Sequence, residues 1–299
     1  MKISINTLHF LEITQQLSLT LDKDLCFKTS ESVGGGCINQ ISKLTDQEGN
    51  HWILKENHPQ YLEMFIAEAE GLQEIKSSQS IRVPDVYCYG ETQQSAYLLM
   101  EYIPLSSGSA DAKTGQQLAQ MHQYQAEKFG WHRGNYIGTT PQSNKLHSSW
   151  IEFWKSQRLL PQLVLAKNKG YPNNAYDDGL KLADNLSTFF TTYQPIASLL
   201  HGDLWGGNQA HDESGNPIIF DPAVYYGDRE SDIAMTELFG GFSAQFYSAY
   251  NDCYPLDKDY STRKNLYNLY HVLNHYNLFG GSYASQAANM TKSLLAEIG

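Results

Sequence analysis

The chain is poor in positive charge: 21 Lys and Arg stand against 32 Asp and Glu, a formal net charge of −11 over 299 residues. That shortage excludes nucleic-acid binding as the main task, because a phosphate backbone needs a basic surface. It also argues against docking on anionic membrane. It leaves open a small anionic ligand, whose charge is met locally by a metal and one or two cations. Cysteine is scarce. Cys26, Cys37, Cys88 and Cys253 are scattered with no Cys-x-x-Cys pair, which suits reduced thiols better than a disulfide framework or a zinc site. Long apolar runs are missing, and no window approaches a membrane span. The N-terminus, Met1-Lys2-Ile3-Ser4-Ile5-Asn6, lacks the apolar core of a secretion signal. Low-complexity tracts and internal repeats are also lacking. These absences lead us to expect a cytoplasmic globular protein of one large or two smaller domains.

What is present concentrates in two short stretches. Leu199-Leu200-His201-Gly202-Asp203-Leu204-Trp205-Gly206-Gly207-Asn208 places a carboxylate and an amide five residues apart on a Gly-rich loop. Ile218-Ile219-Phe220-Asp221-Pro222 then ends a β-branched run on a second carboxylate. Phosphoryl transfer asks for that set: a base to orient the attacking hydroxyl, plus Asn and Asp oxygens to hold magnesium against nucleotide phosphates. Asp203 is the candidate base, and Asn208 and Asp221 are the candidate metal ligands. His201 reads as a scaffold residue that orients the loop. Asp232, eleven residues after Asp221, opens an apolar helical segment and is expected to brace the loop, a role compatible with a helix cap.

The first hundred residues read as strands with one helix inserted. Runs at 25–33 and 38–44 flank Gly34-Gly35-Gly36, suggesting a hairpin, and 51–55 forms a third strand. The apolar spacing over 61–75 is helical, and 86–89 and 96–103 look like two further strands. After Pro104 the character changes. Helices are expected at 110–124, 150–166 and 178–193 and in segments from 232 onward, with only 199–221 reading as loop and short strand. The layout is α+β and bilobal, in the manner of a protein kinase: an N-terminal nucleotide-binding lobe, 1–102, a hinge near 101–105, and a larger helical lobe, 103–299.

Within that layout Lys55 ends an apolar strand and Glu68 lies thirteen residues on. Together they suit a phosphate-contacting Lys held by a helix Glu, although a strand-edge Lys and a solvated Glu would look the same in isolation. Glu70 competes with Glu68; helical phase puts Glu68 beside Phe65 and Leu72 and turns Glu70 outward. Gly34, Gly35 and Gly36 would let backbone amides approach phosphates, and Cys37 in that loop is a candidate reactive thiol. The main chain of Glu101, Tyr102 and Ile103 could offer donors and acceptors to an adenine edge. Two decoys are set aside. His271 and His275 are one helical turn apart but lack further zinc ligands, and no Gly-x-Ser-x-Gly elbow supports a hydrolase triad.

The loop departs from the protein-kinase pattern, with His201-Gly202-Asp203 and with Asp221 followed by Pro222-Ala223. It is similar to the small-molecule kinases, and Trp205-Gly206-Gly207-Asn208 resembles the fructosamine kinase (ketosamine-3-kinase) family. Gly34 to Asn39, Met64-Phe65 before Glu68-Ala69-Glu70-Gly71-Leu72, Asn135 to Gln142 and Tyr225 to Met235 match the same family in order along the chain. The resemblance implies ATP- and magnesium-dependent phosphorylation of the 3-hydroxyl of ketosamines. The product would be unstable and release the amine, a deglycation of glycated amines or proteins. It implies Asp203 as proton acceptor, Asn208 and Asp221 at magnesium, and Lys55 with Glu101 to Ile103 at ATP. Trp205 offers a flat face for the sugar. The alternatives are the same chemistry on an aminoglycoside, choline-like or other sugar acceptor, and a nucleotide-binding scaffold without turnover.

Overall fold

The computed structural model describes residues 8–33, 38–106 and 110–298. The chain opens on helix α1 (Leu8–Leu21) and then lays down strands β1 (Phe27–Ser32), β2 (Gln40–Asp46) and β3 (His51–Asn57). Helix α2 (Leu62–Ser77) follows, then β4 (Val86–Glu91) and β5 (Ala96–Glu101). The five strands form one antiparallel sheet in the order β1-β2-β3-β5-β4.

Period-two alternation sorts the side chains of this sheet onto two buried faces. Trp52, Leu54, Tyr97 and Leu99 pack with Phe10, Ile13 and Leu17 of α1. Leu98 and Met100 pack with Phe65, Leu72 and Ile75 of α2, and Ile53 lies against that same cluster. A helix on each side explains why β5 is apolar and buried from Ala96 to Met100 rather than alternating. The N-terminal lobe therefore has two helices, where the sequence suggested one. Phe10, Ile13 and Leu17 keep a helical spacing, but Thr14, Gln15, Gln16 and Ser18 dilute it. The expected Gly34-Gly35-Gly36 phosphate loop and Cys37 lie outside the described residues.

The chain crosses over through β6 (Leu105–Ser106) into α3 (Ala112–His122) and the hairpin β7 (Asn135–Ile137) and β8 (Thr140–Gln142). Next comes a nearly continuous helical stretch: α4 (Trp150–Phe153), a π-helical turn (Trp154–Leu159) and α5 (Leu160–Asn168), then α6 (Asn173–Asp184). Short strands β9 (Ser198–Leu200), β10 (Gln209–Asp212), β11 (Pro217–Ile219) and β12 (Tyr225–Gly227) carry the loop motifs. Helices α7 (Glu230–Leu238), α8 (Ala244–Cys253), α9 (Tyr260–Phe279) and α10 (Tyr283–Glu297) complete the larger lobe. The β7–β8 hairpin and β12 are strands that the sequence did not suggest outside 199–221; at three residues each they are too short to show a period. Among the described residues no helix is long and apolar enough to cross a membrane.

Candidate active site

Strand β9 pairs antiparallel with β12, and β10 with β11. These two small sheets bring the 201–208 loop against 220–223. Main-chain bonds lock the juncture: Phe220 N–H donates to the Asn208 carbonyl at 3.1 Å and Ala223 N–H to that of His201 at 2.8 Å. Gly202 adopts φ +80°, and a Cβ there would fall 2.2 Å from the Ala223 carbonyl oxygen. Only glycine fits that turn and that approach.

Asp232, fully buried at the start of α7, accepts the N–H of His201 at 2.7 Å and of Gly202 at 2.9 Å. His122 of α3 approaches the same carboxylate at 3.2 Å and is itself bonded to the Tyr250 hydroxyl at 2.7 Å. Burial would raise the Asp232 pKa, yet these donors hold it below the ordinary carboxylate value. His201 accepts the Asp203 N–H on Nδ1 at 3.2 Å, so its proton sits on Nε2 and is donated to the Phe220 carbonyl at 3.0 Å. Both ring nitrogens are thus engaged with backbone, and burial lowers the imidazole pKa.

Asp203 is half-buried. Desolvation first, and then the charges of Asp221 and Asp232, push its carboxyl up to about 7, while the Asn208 amide pulls the other way. Asn208 Nδ2 donates to the Asp203 carbonyl at 2.9 Å and lies 3.5 Å from its side-chain Oδ2. With Nδ2 so directed, the Asn208 amide oxygen is left facing away from these acceptors. Asp221 adopts φ +59°, an uncommon backbone for a side-chain-bearing residue and one that Asp tolerates.

Lys55 reaches the same place from β3. Its ammonium is buried and contacts both Glu68 Oε1, at 2.5 Å, and Asp221 Oδ1. Burial alone would depress its pKa, but Asp221 and then Glu68 outweigh that and hold it above the ordinary lysine value. Burial also raises the pKa of Glu68, opposed by Lys55. The structure therefore brings Lys55, Glu68, Asp203, Asn208 and Asp221 into one cluster across the lobes. Glu70, the competitor, points elsewhere and bonds Arg133 at 2.8 Å.

At the lobe crossing, Glu101 N–H is taken by the Asp85 carbonyl at 2.8 Å, and the Glu101 side chain pairs with Arg82 at 2.7 Å. Among the described residues no acceptor within the protein meets the N–H of Tyr102 or of buried Ile103, which leaves both as open donors of this segment. Trp205 is 41% exposed beside the loop. Several participants were not singled out as site residues: His122 and Tyr250 behind Asp232, Arg82 at the crossing, and, at the two ends of a segment the family resemblance covers, Asn135 and Gln142. The last two donate to the carbonyls of Val224 (2.7 Å) and Ala223 (3.3 Å) just past Asp221.

An α+β bilobal fold with a buried Lys–Glu pair facing an Asp/Asn loop defines an ATP-dependent phosphotransferase of the kinase-like class. The sequence model of the fructosamine kinase family matches residues 9–297, and the chain belongs to that family. It is 43% identical to a probable ketoamine kinase of Synechocystis sp. over 95% of this chain and 96% of that one. It is 40% identical to a chloroplastic protein-ribulosamine 3-kinase of Arabidopsis thaliana, covering 88% of this chain and 82% of the relative. A crystal structure from Haemophilus somnus, assigned as a fructosamine-3-kinase, superposes with a TM-score of 0.85 at 33% identity, covering 95% and 96% of the two chains.

Proposed function

We propose that this protein transfers the γ-phosphoryl group of ATP to a sugar hydroxyl of ketoamines, the 3-hydroxyl in particular, and so starts the release of the amine from glycation adducts. The observation that carries the reading is the single cluster joining Asp203 and Asn208 to Asp221 and the Lys55–Glu68 pair. The names of the relatives supply the acceptor class.

In this reading the acceptor hydroxyl docks against Asp203. Its oxygen bonds to the γ-phosphorus as the bond to the ADP oxygen breaks, and its proton passes to the Asp203 carboxylate. Base assistance of this kind is worth on the order of 10²–10⁴ in rate. Lys55, kept charged and aimed by Glu68, holds the nucleotide phosphates. The Asn208 amide oxygen and the Asp221 carboxylate are hard oxygen donors that fit a divalent cation, with Mg²⁺ the natural choice. Such a cation, when bound, neutralises charge on the phosphates. The open Ile103 N–H, with the main chain of Glu101 and Tyr102, takes the adenine edge. The exposed Trp205 face packs on the sugar. His201 and Asp232 hold the loop. We place the lobe boundary between residues 102 and 103, since β6 just beyond it already pairs with β10 of the larger lobe. A cytoplasmic setting suits the reading.

The test is ADP release with Mg²⁺ across fructose-, ribulose- and erythrulose-amines, with choline and an aminoglycoside as competing acceptors. Turnover on ketoamines, lost about 10²-fold or more in Asp203→Asn, is expected. Turnover confined to choline or the aminoglycoside would overturn the acceptor assignment. Turnover indifferent to Asp203→Asn would overturn the role of the base.

A further inference from the structure

Helix α2 carries Glu68 toward Lys55 on one face and a second acidic set on another. Glu63, Glu70 and Glu74 are spaced by seven and four residues, which returns them to one stripe of a 3.6-residue helix. All three reach into the larger lobe. Arg133, in the segment between α3 and β7, forks across the first two: Nη2 meets Glu63 at 2.5 Å and Nη1 meets Glu70 at 2.8 Å. His132 adds a contact to Glu70 at 2.8 Å, and the Tyr226 hydroxyl of β12 donates to Glu74 at 2.6 Å. Between these contacts Gly71 lets the helix approach the residues after Asp221: a Cβ there would lie 3.2 Å from Val224 and 3.5 Å from Pro222.

We propose that Arg133 is a positioning residue for phosphoryl transfer: by clamping Glu63 and Glu70 it docks α2 on the larger lobe and so keeps Glu68 on Lys55. The inference rests on the reading of Lys55 and Glu68 given above. The planar guanidinium fork suits this task, since its two terminal nitrogens reach carboxylates seven residues apart on the helix in one rigid geometry, where an ammonium offers only a compact point charge. The arrangement needs no added charge to hold α2 inward; every partner is in the chain already. As an ion pair at a partly exposed rim it adds little to global stability. Its effect is on where the helix sits.

A double-mutant cycle tests it. In the full-length protein, Arg133→Ala is expected to lower kcat/KM for ATP about tenfold while the KM for ketoamine stays within about twofold. Hydrogen exchange of the α2 amides should quicken, and Arg133→Lys should recover only part of the rate. In a Glu68→Gln background the same Arg133→Ala change should cost less than about twofold, because the pair it positions is already gone. Equal losses in both backgrounds would overturn the clamp and assign Arg133 a general structural role. Should Arg133→Ala fail to fold, Glu63→Gln and Glu70→Gln together remove the same fork from partly exposed positions and must show the same pattern. Glu68→Gln without effect on ATP use would instead overturn the Lys55–Glu68 reading itself, a separate outcome.

Discussion

Trp205 is 41% exposed while its neighbour Leu204 is buried, and its ring lies over Gly207 of the same loop, where a Cβ would fall 2.2 Å from it. If the exposed face takes the sugar, Trp205→Ala should raise the KM for ketoamine about tenfold, the scale of one aromatic contact, and leave the KM for ATP within about twofold. Steady-state titration of each substrate checks it; parallel rises in both would show a general collapse of the loop. At this scale the residues that the fold clusters were legible beforehand. Lys55, Glu68, Asp203, Asn208 and Asp221 sit in local patterns whose spacing and order follow from what phosphates and a cation require. His122, Tyr250, Arg82 and Arg133 were not. Each is a common polar residue whose partner is remote in sequence: 110 residues separate His122 from Asp232, and 63 separate Arg133 from Glu70.

Among the elements, the β7–β8 hairpin has the clearest bearing on the site. Gln142 is buried, donates to Asn135 at 2.7 Å, and accepts the Tyr270 hydroxyl of α9 at 2.6 Å. Asn144 joins the set, linking Asn135 to the buried Arg158 guanidinium at 2.6 Å. This polar web props the backbone of residues 223 and 224, and hence the carboxylate before them. Gln142→Leu takes from the Tyr270 hydroxyl the acceptor it donates to, and leaves the Asn135 oxygen with Asn144 alone. A buried polar group left without its partner costs about 1–3 kcal/mol. We expect a lower urea midpoint at unchanged slope, with activity falling as the Asp221 segment loosens. An unchanged midpoint would mean that water or a neighbour replaces the amide. The helices α2 and α3 and the strands β1 to β5 could be anticipated from period and turn residues, because one buried face writes itself into the spacing of apolar side chains. Helix α1 could not, diluted as it is by polar residues, and neither could three-residue strands, which are defined by whom they pair with.

Over the whole molecule, acid response depends on groups that folding forces into one protonation state. His271 of α9 is buried, and desolvation, with His275 and Arg158 adding to it and Asp232 opposing, lowers its pKa to about 3. A histidine in the unfolded chain titrates near 6.5. Its folded value is the lower one, so the native state is favoured fully above pH 6.5 and loses that advantage as the pH falls and only the unfolded chain takes up the proton. Between pH 7 and pH 5 the wild type should lose about 2 kcal/mol more stability than His271→Gln, in which the carboxylates are shared and cancel. Parallel urea denaturation at the two pH values measures it, and equal losses would show that His271 is charged or solvated in the fold. The sequence alone determined the chemistry and the class of architecture, since the types and local order of the reactive side chains, and the apolar periods of the main elements, are short-range properties. The tertiary structure alone decided which carboxylate of α2 meets Lys55, that His201 is neutral and tied to backbone, and that α2 is clamped to the opposite lobe. Those are matters of burial and of distances between residues far apart in the chain, and they come into existence only when the lobes close on each other.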